Sequence, residues 1–562
     1  MEKRHLLTFA CVVTFVAGTV VTACTGGRQS ASETSDETAE HKRIVRSWFG
    51  RNKTITDGNY DKSLAVKCIN GTFVGKKTDN TIAFRGIPYV GKQPVGSLRW
   101  KAPVDVLPCD SVYEAYYNAK SACQPEVEVA SLYYQDENCL YLNVWKAASE
   151  PEAEKKPVIV WIHGGAYAYG GTVDPLYDFH NFVEENPEVI VVSAAYRLGV
   201  LGFLHLSHLP DGKDYPDAQN LGLMDQLMAL KWVHENIAAF GGDPDNVTLM
   251  GESAGGGSVT SLSLIEGSHK YFNKVIALSG NPCLSTTKEA AIAATNKLMK
   301  ALDCKTAADL QKLDAQRLVS VATELLPLQN VPERDGRLLP ENPWEAVAGG
   351  AVKDITYLHG VNKDEMNFFL VTMGGPEPFI EWFAESKAKK TASMTDEEKA
   401  LVKSFFKSVK GEDYETYCKW FSQMIFNAPC IRLSEEQTKA GGKSFTYYFT
   451  VESALPLMKC GHGMALAPLF RHPELDGDTG RPFDETFSKT MRKMWVQFAK
   501  TGNPSLSADL SPDGKTKAWP LYDLKDKQVM VFDEHNIHPE KESQRKIVDW
   551  ERTYVLTKYY GF

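Results

Sequence analysis

The stretch Asn246 to Val259 reads NVTLMGESAGGGSV. A β-branched, apolar run leads straight into Gly251-Glu252-Ser253-Ala254-Gly255 and then into small residues. In a G-x-S-x-G turn the serine sits at the tip of a sharp strand-to-helix bend, and only glycine lets neighbouring backbone pass so closely. The alternative is a plain Gly/Ser loop. Because glycine makes up about 7% of residues in general, such a five-residue match arises by chance roughly once in several chains of this length. The remainder of the chain therefore has to supply a base, an acid, an oxyanion hole and the right fold.

Sequence on either side supplies the context. Val158 opens VIVWIHGG and Val189 opens VIVVSAAYRLG, both continuously apolar in the manner of buried parallel strands. Between the second of these and the serine, Leu223, Leu227, Leu230, Val233 and Ile237 recur at helical spacing, and Gly241-Gly242 stops that helix. Asn246 to Met250 is the next strand, and a helix is expected to start at Gly255. Strand, helix, strand, elbow, helix is the rhythm of an α/β fold, a mostly parallel sheet with helices on both faces.

Composition sets the outer limits. The 562 residues are 43% hydrophobic, enough for one large α/β domain or several smaller ones. A net charge of −9 and a pI near 5.9 argue against nucleic acid or an anionic membrane surface as the main partner. At the start, Met1 to His5 is basic and Leu6 to Val21 is an apolar run too short to span a bilayer, the pattern of a signal peptide. It ends in VTAC, Val21 to Cys24, which resembles a bacterial lipobox with Cys24 as the lipidated residue. Thr25 to Arg43 is polar and rich in Ser, Thr and Glu, so it cannot bury enough surface to order itself. The expected organisation is a signal peptide over 1–24, a disordered tether over 25–60 and one folded domain over 61–562. The expected location is the bacterial cell envelope, lipid-anchored, with secretion as the alternative. Export makes the cysteines disulfide candidates; without Cys11 and Cys24 they number nine, so at least one stays unpaired.

A serine hydroxyl is a weak nucleophile at neutral pH. It needs a base within hydrogen-bond reach, and the base needs a carboxylate to fix its tautomer. In strand–elbow–helix hydrolases the chain order is Ser, acid, His. Of the thirteen histidines only His269, His359, His462, His472, His535 and His538 follow Ser253, and His269 leaves no room for an acid. His462, between Gly461 and Gly463 in KCGHGMAL, reads as a loop tip from which a base reaches into a site; His472, His535 and His538 sit among charges. For the acid, Asp364 and Glu365 follow the strand-like Ile355 to Gly360, and pattern alone does not choose between them. The oxyanion hole requires backbone N–H groups. Trp161 to Gly171, WIHGGAYAYGG, follows a strand as the glycine-rich loop that supplies them, and Ala254, after the nucleophile, supplies another.

Taken with further blocks, these motifs resemble the type-B carboxylesterases, the cholinesterase-like branch of the α/β-hydrolases. The blocks include FRGIPYVGKQPVGSLRWKAP from Phe84, ENCLYLNVW from Glu137, YRLGVLGFL from Tyr196, VPERDGRLLP from Val331, GVNKDEMNFF from Gly360 and FAKTGNP from Phe498, within roughly Ser63 to Tyr522. The resemblance implies Glu365 as acid, His462 as base, and the backbone of Gly165, Ala166 and Ala254 as oxyanion donors, with alanine at 166 where many members carry a third glycine. It implies a disulfide between Cys123 and Cys139, with Cys283–Cys304 and Cys68–Cys109 as further candidate pairs and Cys460 as a free thiol. The loop Gln124 to Asn138 has Tyr133 and Tyr134 but lacks the tryptophan with which cholinesterases stack choline, and Ala465 stands where they carry a glutamate, whereas Glu252 is retained. These departures disfavour a choline ester. The expected protein is a serine carboxylesterase acting on small-molecule esters, with no metal and no organic cofactor. A lipase, thioesterase or carbamate hydrolase with the same triad is the alternative, and a non-catalytic cell-surface binding protein, as in neuroligins, is the reading from another class.

Overall fold

The computed structural model describes residues 50–125, 134–148, 154–408, 411–470, 479–541 and 556. Its centre is an eleven-stranded sheet. In chain order the strands are β1 (Lys76–Thr78), β2 (Thr81–Pro88), β3 (Tyr141–Ala147), β4 (Lys156–Ile162), β5 (Ile190–Ala194), β6 (Gly242–Glu252), β7 (Lys274–Leu278), β8 (Thr356–Asn362), β9 (Lys443–Phe449), β10 (Gln528–Asp533) and β11 (Asn536–Lys541). They lie side by side as β1-β2-β3-β5-β4-β6-β7-β8-β9-β10-β11. From β5 to β10 every pairing is parallel; the two edges are antiparallel. This is the α/β-hydrolase arrangement, and it covers the central strands on both faces as an all-parallel region requires.

Side-chain alternation divides those strands between two cores. Val158, Val160 and Ile162 of β4 face one core with Leu223, Leu230 and Val233 of α1 (Leu221–Asn236) and Val259 and Leu262 of α2 (Ala254–Ser263). Ile159 and Trp161 face the other, with Phe498 and Trp495 of the helix Glu485–Thr501. A continuously apolar strand is thus a strand with two buried faces. α1 continues as a single 3-10 turn, Ile237–Phe240, and stops where Gly241 turns left-handed (φ +90°).

Glycines let α2 start against the sheet. A Cβ on Gly255 would stand 2.1 Å from the carbonyl oxygen of Ile162, and one on Gly280 would stand 2.3 Å from the carbonyl carbon of Gly256. Backbone atoms cannot swing aside as a flexible side chain does. Gly255→Ala is therefore expected to cost about 3 kcal/mol through overpacking, read as a lower urea midpoint; an unchanged midpoint would contradict this packing.

Two expectations are corrected. Folded chain begins before Asp61: Thr54–Ile55 pairs with Val112 and Tyr113. Asn52 donates to the carbonyls of Arg85 and Tyr117 and accepts from the N–H groups of Tyr116 and Tyr117. One half-buried asparagine side chain thereby holds a segment whose sequence reads as polar tether. The Cys123–Cys139 bridge is also not formed. All nine described cysteines are free thiols, and Cys123 and Cys139 share the lining of one small cavity with Arg99, Glu137 and Arg197. Burial pushes the Cys123 thiol up to about 12 and that of Cys139 well above its usual range. Cys283 and Cys304 pack against different cores. Cys460 is free, its thiol donating to the carbonyl of Phe449 (3.1 Å). Cys24 and Tyr133 lie outside the described residues. No described helix is long and apolar enough to cross a membrane.

Candidate active site

Ser253 sits between the end of β6 and the start of α2 with φ +56° and ψ −122°. A serine in this region is strained, and such strain persists only where the surroundings fix it. Here the Ser253 N–H donates to Leu278 O (2.9 Å) and its carbonyl accepts from Gly257 N–H (2.8 Å). The sharp turn read from the sequence is present.

The glycine-rich loop abuts it. A Cβ on Gly164 would lie 3.2 Å from Ser253 Cβ. Gly165, Ala166 and Tyr167 follow with φ of +100°, +55° and +60°. The Gly165 carbonyl is taken up by the N–H groups of Ala168 and Tyr169 (3.0 and 2.9 Å). Among the described residues the N–H groups of Gly165 and Ala166 have no acceptor. Ala254 N–H, at the first position of α2, is likewise one of the orphan donors every helix start leaves. Ala254 thus follows the serine in sequence, and Gly165 and Ala166 follow Gly164, which abuts it. Behind them, His163 is buried and stacked on Tyr196 (4.5 Å), and burial pushes it down to about 4, so it is neutral.

Glu365 and His462, 97 positions apart, meet. His462 Nδ1 lies 2.6 Å from Glu365 Oε2, and the His462 N–H donates to the Glu365 carbonyl (3.1 Å). Glu365 has no solvent exposure. Its other oxygen accepts from the Ser279 hydroxyl and from the Asn362 N–H, each at 2.7 Å. A carboxylate so held is fixed in place and keeps one oxygen for the imidazole. Asp364 is not part of this pair: its N–H donates to Cys460 O, and burial raises its carboxyl pKa. Of the other histidines, His359 lies in the core between Cys430 (3.4 Å) and the Ser434 hydroxyl (3.0 Å), and burial pushes it down to about 3.

His462 Nε2 does not hydrogen-bond to Ser253 in this structure. It lies 3.2 Å from Glu252 Oε1, without hydrogen-bond geometry at either atom. Burial alone would lower the His462 pKa, but the charges of Glu252 and Glu365 outweigh it and the imidazolium is favoured. Burial, in turn, raises Glu252. Around the imidazole stand Phe368, Phe369 and Phe426, with ring centres at 6.1, 5.4 and 4.9 Å.

Sequence reasoning misses several of these residues. Ser279 and Asn362 carry no motif of their own; Phe426 comes from a turn of π-helix, Ser422–Asn427, that no periodicity announces. Among the described residues no group of three or more His, Cys, Asp or Glu is arranged to hold a metal ion.

With this geometry in place, comparison with known proteins is decisive. The carboxylesterase family model matches residues 62–549. The chain belongs to the carboxylesterase family. It is 33% identical over 500 residues to the para-nitrobenzyl esterase of Bacillus subtilis, covering 85% of this chain and 96% of that one. It is 30% identical to the acetylcholinesterase of Bungarus fasciatus, covering 78% and 77%. Among solved structures, a carboxylesterase of Geobacillus stearothermophilus at pH 6.2 superimposes with a TM-score of 0.74 at 31% identity, covering 86% of this chain and 99% of the other. This carboxylesterase is accordingly a carboxylic ester hydrolase of the serine esterase type, and its substrates are small-molecule esters.

Proposed function

We propose that Ser253 is the nucleophile, His462 the general base and Glu365 the acid of a Ser-His-Glu triad, with Gly165, Ala166 and Ala254 forming the oxyanion hole. The observation that carries this reading is the buried 2.6 Å pair between His462 Nδ1 and Glu365 Oε2. A carboxylate on Nδ1 keeps the proton there and leaves Nε2 as the lone pair that accepts from a serine hydroxyl. In free enzymes catalytic hydrogen bonds are often long and tighten only with substrate, so the Ser253–Nε2 bond forms in the complex. Ser253 Oγ then attacks the ester carbonyl and its proton passes to Nε2. The three N–H donors receive the developing oxyanion, and the alcohol leaves with the proton. Water attacks the acyl-serine by the same path. Aryl esters that share one acyl group are expected to partition between water and added methanol in one common ratio, because all pass through the same acyl-serine; a ratio that changes with the leaving group would remove the acyl-enzyme.

The pH dependence follows from the charges around the base. His462 works neutral, and Glu252 and Glu365 stabilise its protonated form. The rising limb of kcat/KM is therefore expected above the ordinary histidine range of about 6.5. Glu252→Gln removes one of the two carboxylates and moves the limb to lower pH, measured with an uncharged ester. A limb that stays in place would show that Glu252 does not act on the base.

For substrate, the buried Ala465, standing where cholinesterases carry a glutamate, and a loop from Gln124 to Asn138 without tryptophan favour uncharged acyl and alcohol groups over a choline ester. Hydrolysis of p-nitrophenyl esters from acetate to palmitate divides an esterase from a lipase. The basic Met1 to His5, the apolar Leu6 to Val21 and the VTAC ending support export and a lipid anchor at Cys24. Incorporation of labelled fatty acid that persists in Cys24→Ser would exclude that attachment.

A further inference from the structure

The chain carries a second line of serine, histidine and carboxylate, away from Ser253 and His462. It lies on the segment after β5, where Phe203 to His208 reads FLHLSH. The Ser207 hydroxyl is 3.0 Å from His205 Nε2, and His205 Nδ1 is 2.7 Å from Glu333 Oε2. The connectivity is that of the proposed triad: carboxylate to Nδ1, hydroxyl to Nε2. Because a carboxylate only accepts, the Nδ1 proton is held by Glu333 and Nε2 is left as the acceptor for Ser207.

Burial and anchoring suit a reactive group. His205 and Glu333 are 3% and 1% exposed, whereas Ser207 is exposed to solvent. Glu333 is fixed through its backbone, its N–H donating to Asn220 Oδ1 (2.8 Å) and its carbonyl accepting from Asn220 Nδ2 (2.9 Å). Its second carboxylate oxygen is buried without a partner, so His205 is the main recipient of the charge. The Ser207 turn is tight: a Cβ on Gly212 would stand 2.5 Å from Ser207 O. The N–H groups of Ser207 and His208 have no acceptor among the described residues. The second of these is the donor that follows the nucleophile, as Ala254 follows Ser253.

We propose that Ser207 is a second acyl-accepting serine, taking the acyl group of activated aryl esters with His205 as base and Glu333 as its positioning carboxylate. In the step, the Ser207 Oγ–carbonyl carbon bond forms and the bond from that carbon to the aryl oxygen breaks. The hydroxyl proton passes to His205 Nε2 and from there to the departing phenoxide. No oxidant or second reactant is required.

The full chain carrying Ser253→Ala, exposed to p-nitrophenyl acetate and read by peptide mass spectrometry, tests this. Ser207 is expected to gain one acetyl group about 10²-fold faster than other exposed serines, the factor a positioned base supplies. Ser207→Ala in the same background removes that label, and since Ser207 is exposed this variant keeps its fold. Glu333→Gln, similar in shape, slows labelling at least about tenfold by releasing the imidazole tautomer. Acetylation of Ser207 no faster than that of other exposed serines overturns the proposal, as does a rate unchanged in folded Glu333→Gln. Neither result bears on Ser253, whose role is read from turnover.

Discussion

Ser253→Ala is expected to lower kcat on a p-nitrophenyl ester by about 10⁵- to 10⁶-fold, with little change in unfolding midpoint. Alanine keeps the Cβ that the turn already accommodates at φ +56°, so neither the elbow nor its bonds to Leu278 and Gly257 are disturbed. What disappears is the oxygen that forms the acyl bond. The remaining N–H donors still stabilise an oxyanion made by water, so a small residual rate above the uncatalysed reaction persists. Initial rates, burst amplitude and thermal unfolding on the same preparation separate loss of chemistry from loss of fold. Turnover above about one part in a hundred of the parent would assign the nucleophile elsewhere.

Glu365→Gln comes second, with an expected loss in kcat/KM of about 10³- to 10⁴-fold. One side-chain oxygen of Glu365 is occupied by the Ser279 hydroxyl and the Asn362 N–H, and the other faces His462 Nδ1. Two donors on the first oxygen will hold the glutamine carbonyl there, which turns its NH₂ toward the imidazole. An NH₂ group donates only, so Nδ1 must accept and the proton moves to Nε2, where it blocks the serine. The variant is isosteric and is expected to fold. Its pH–rate profile distinguishes this cause from simple disorder, because the carboxylate that favoured the imidazolium is gone and the rising limb moves down. Activity within about tenfold of the parent would mean that Glu365 does not set the tautomer.

Asp364 and Glu365 mark where local sequence stops being informative. Both are carboxylates at the start of the helix Met366–Thr372, and nothing in their spacing separates them. They are separated by β8 and the loop carrying His462: Asp364 N–H bonds to Cys460 O, while the Glu365 side chain reaches Ser279, Asn362 and His462. Ser279 sits just after β7, with φ +48°, so one of the acid's anchors depends on a strand pairing 86 residues away. Likewise, the polar segment before Asp61 enters the fold because Asn52 finds four backbone partners near Arg85 and Tyr117. The second serine–histidine–carboxylate line joins His205 to Glu333 across 128 positions, and chain order that leads from Ser253 to His462 does not reach it.

By itself the sequence determined what is local and periodic: two-faced strands, the α1 helix and its glycine stop, the Gly-x-Ser-x-Gly elbow and the glycine-rich loop beside it. These follow from side-chain hydrophobicity and allowed backbone angles over a few neighbouring residues. Pattern left Asp364 and Glu365 open and the resemblance pointed to Glu365; only the tertiary structure decided that Ser279 and Asn362 hold its carboxylate and that Glu252 and three phenylalanines surround His462. Those outcomes depend on burial and on charges brought together from distant segments, and burial belongs to the packed chain as a whole.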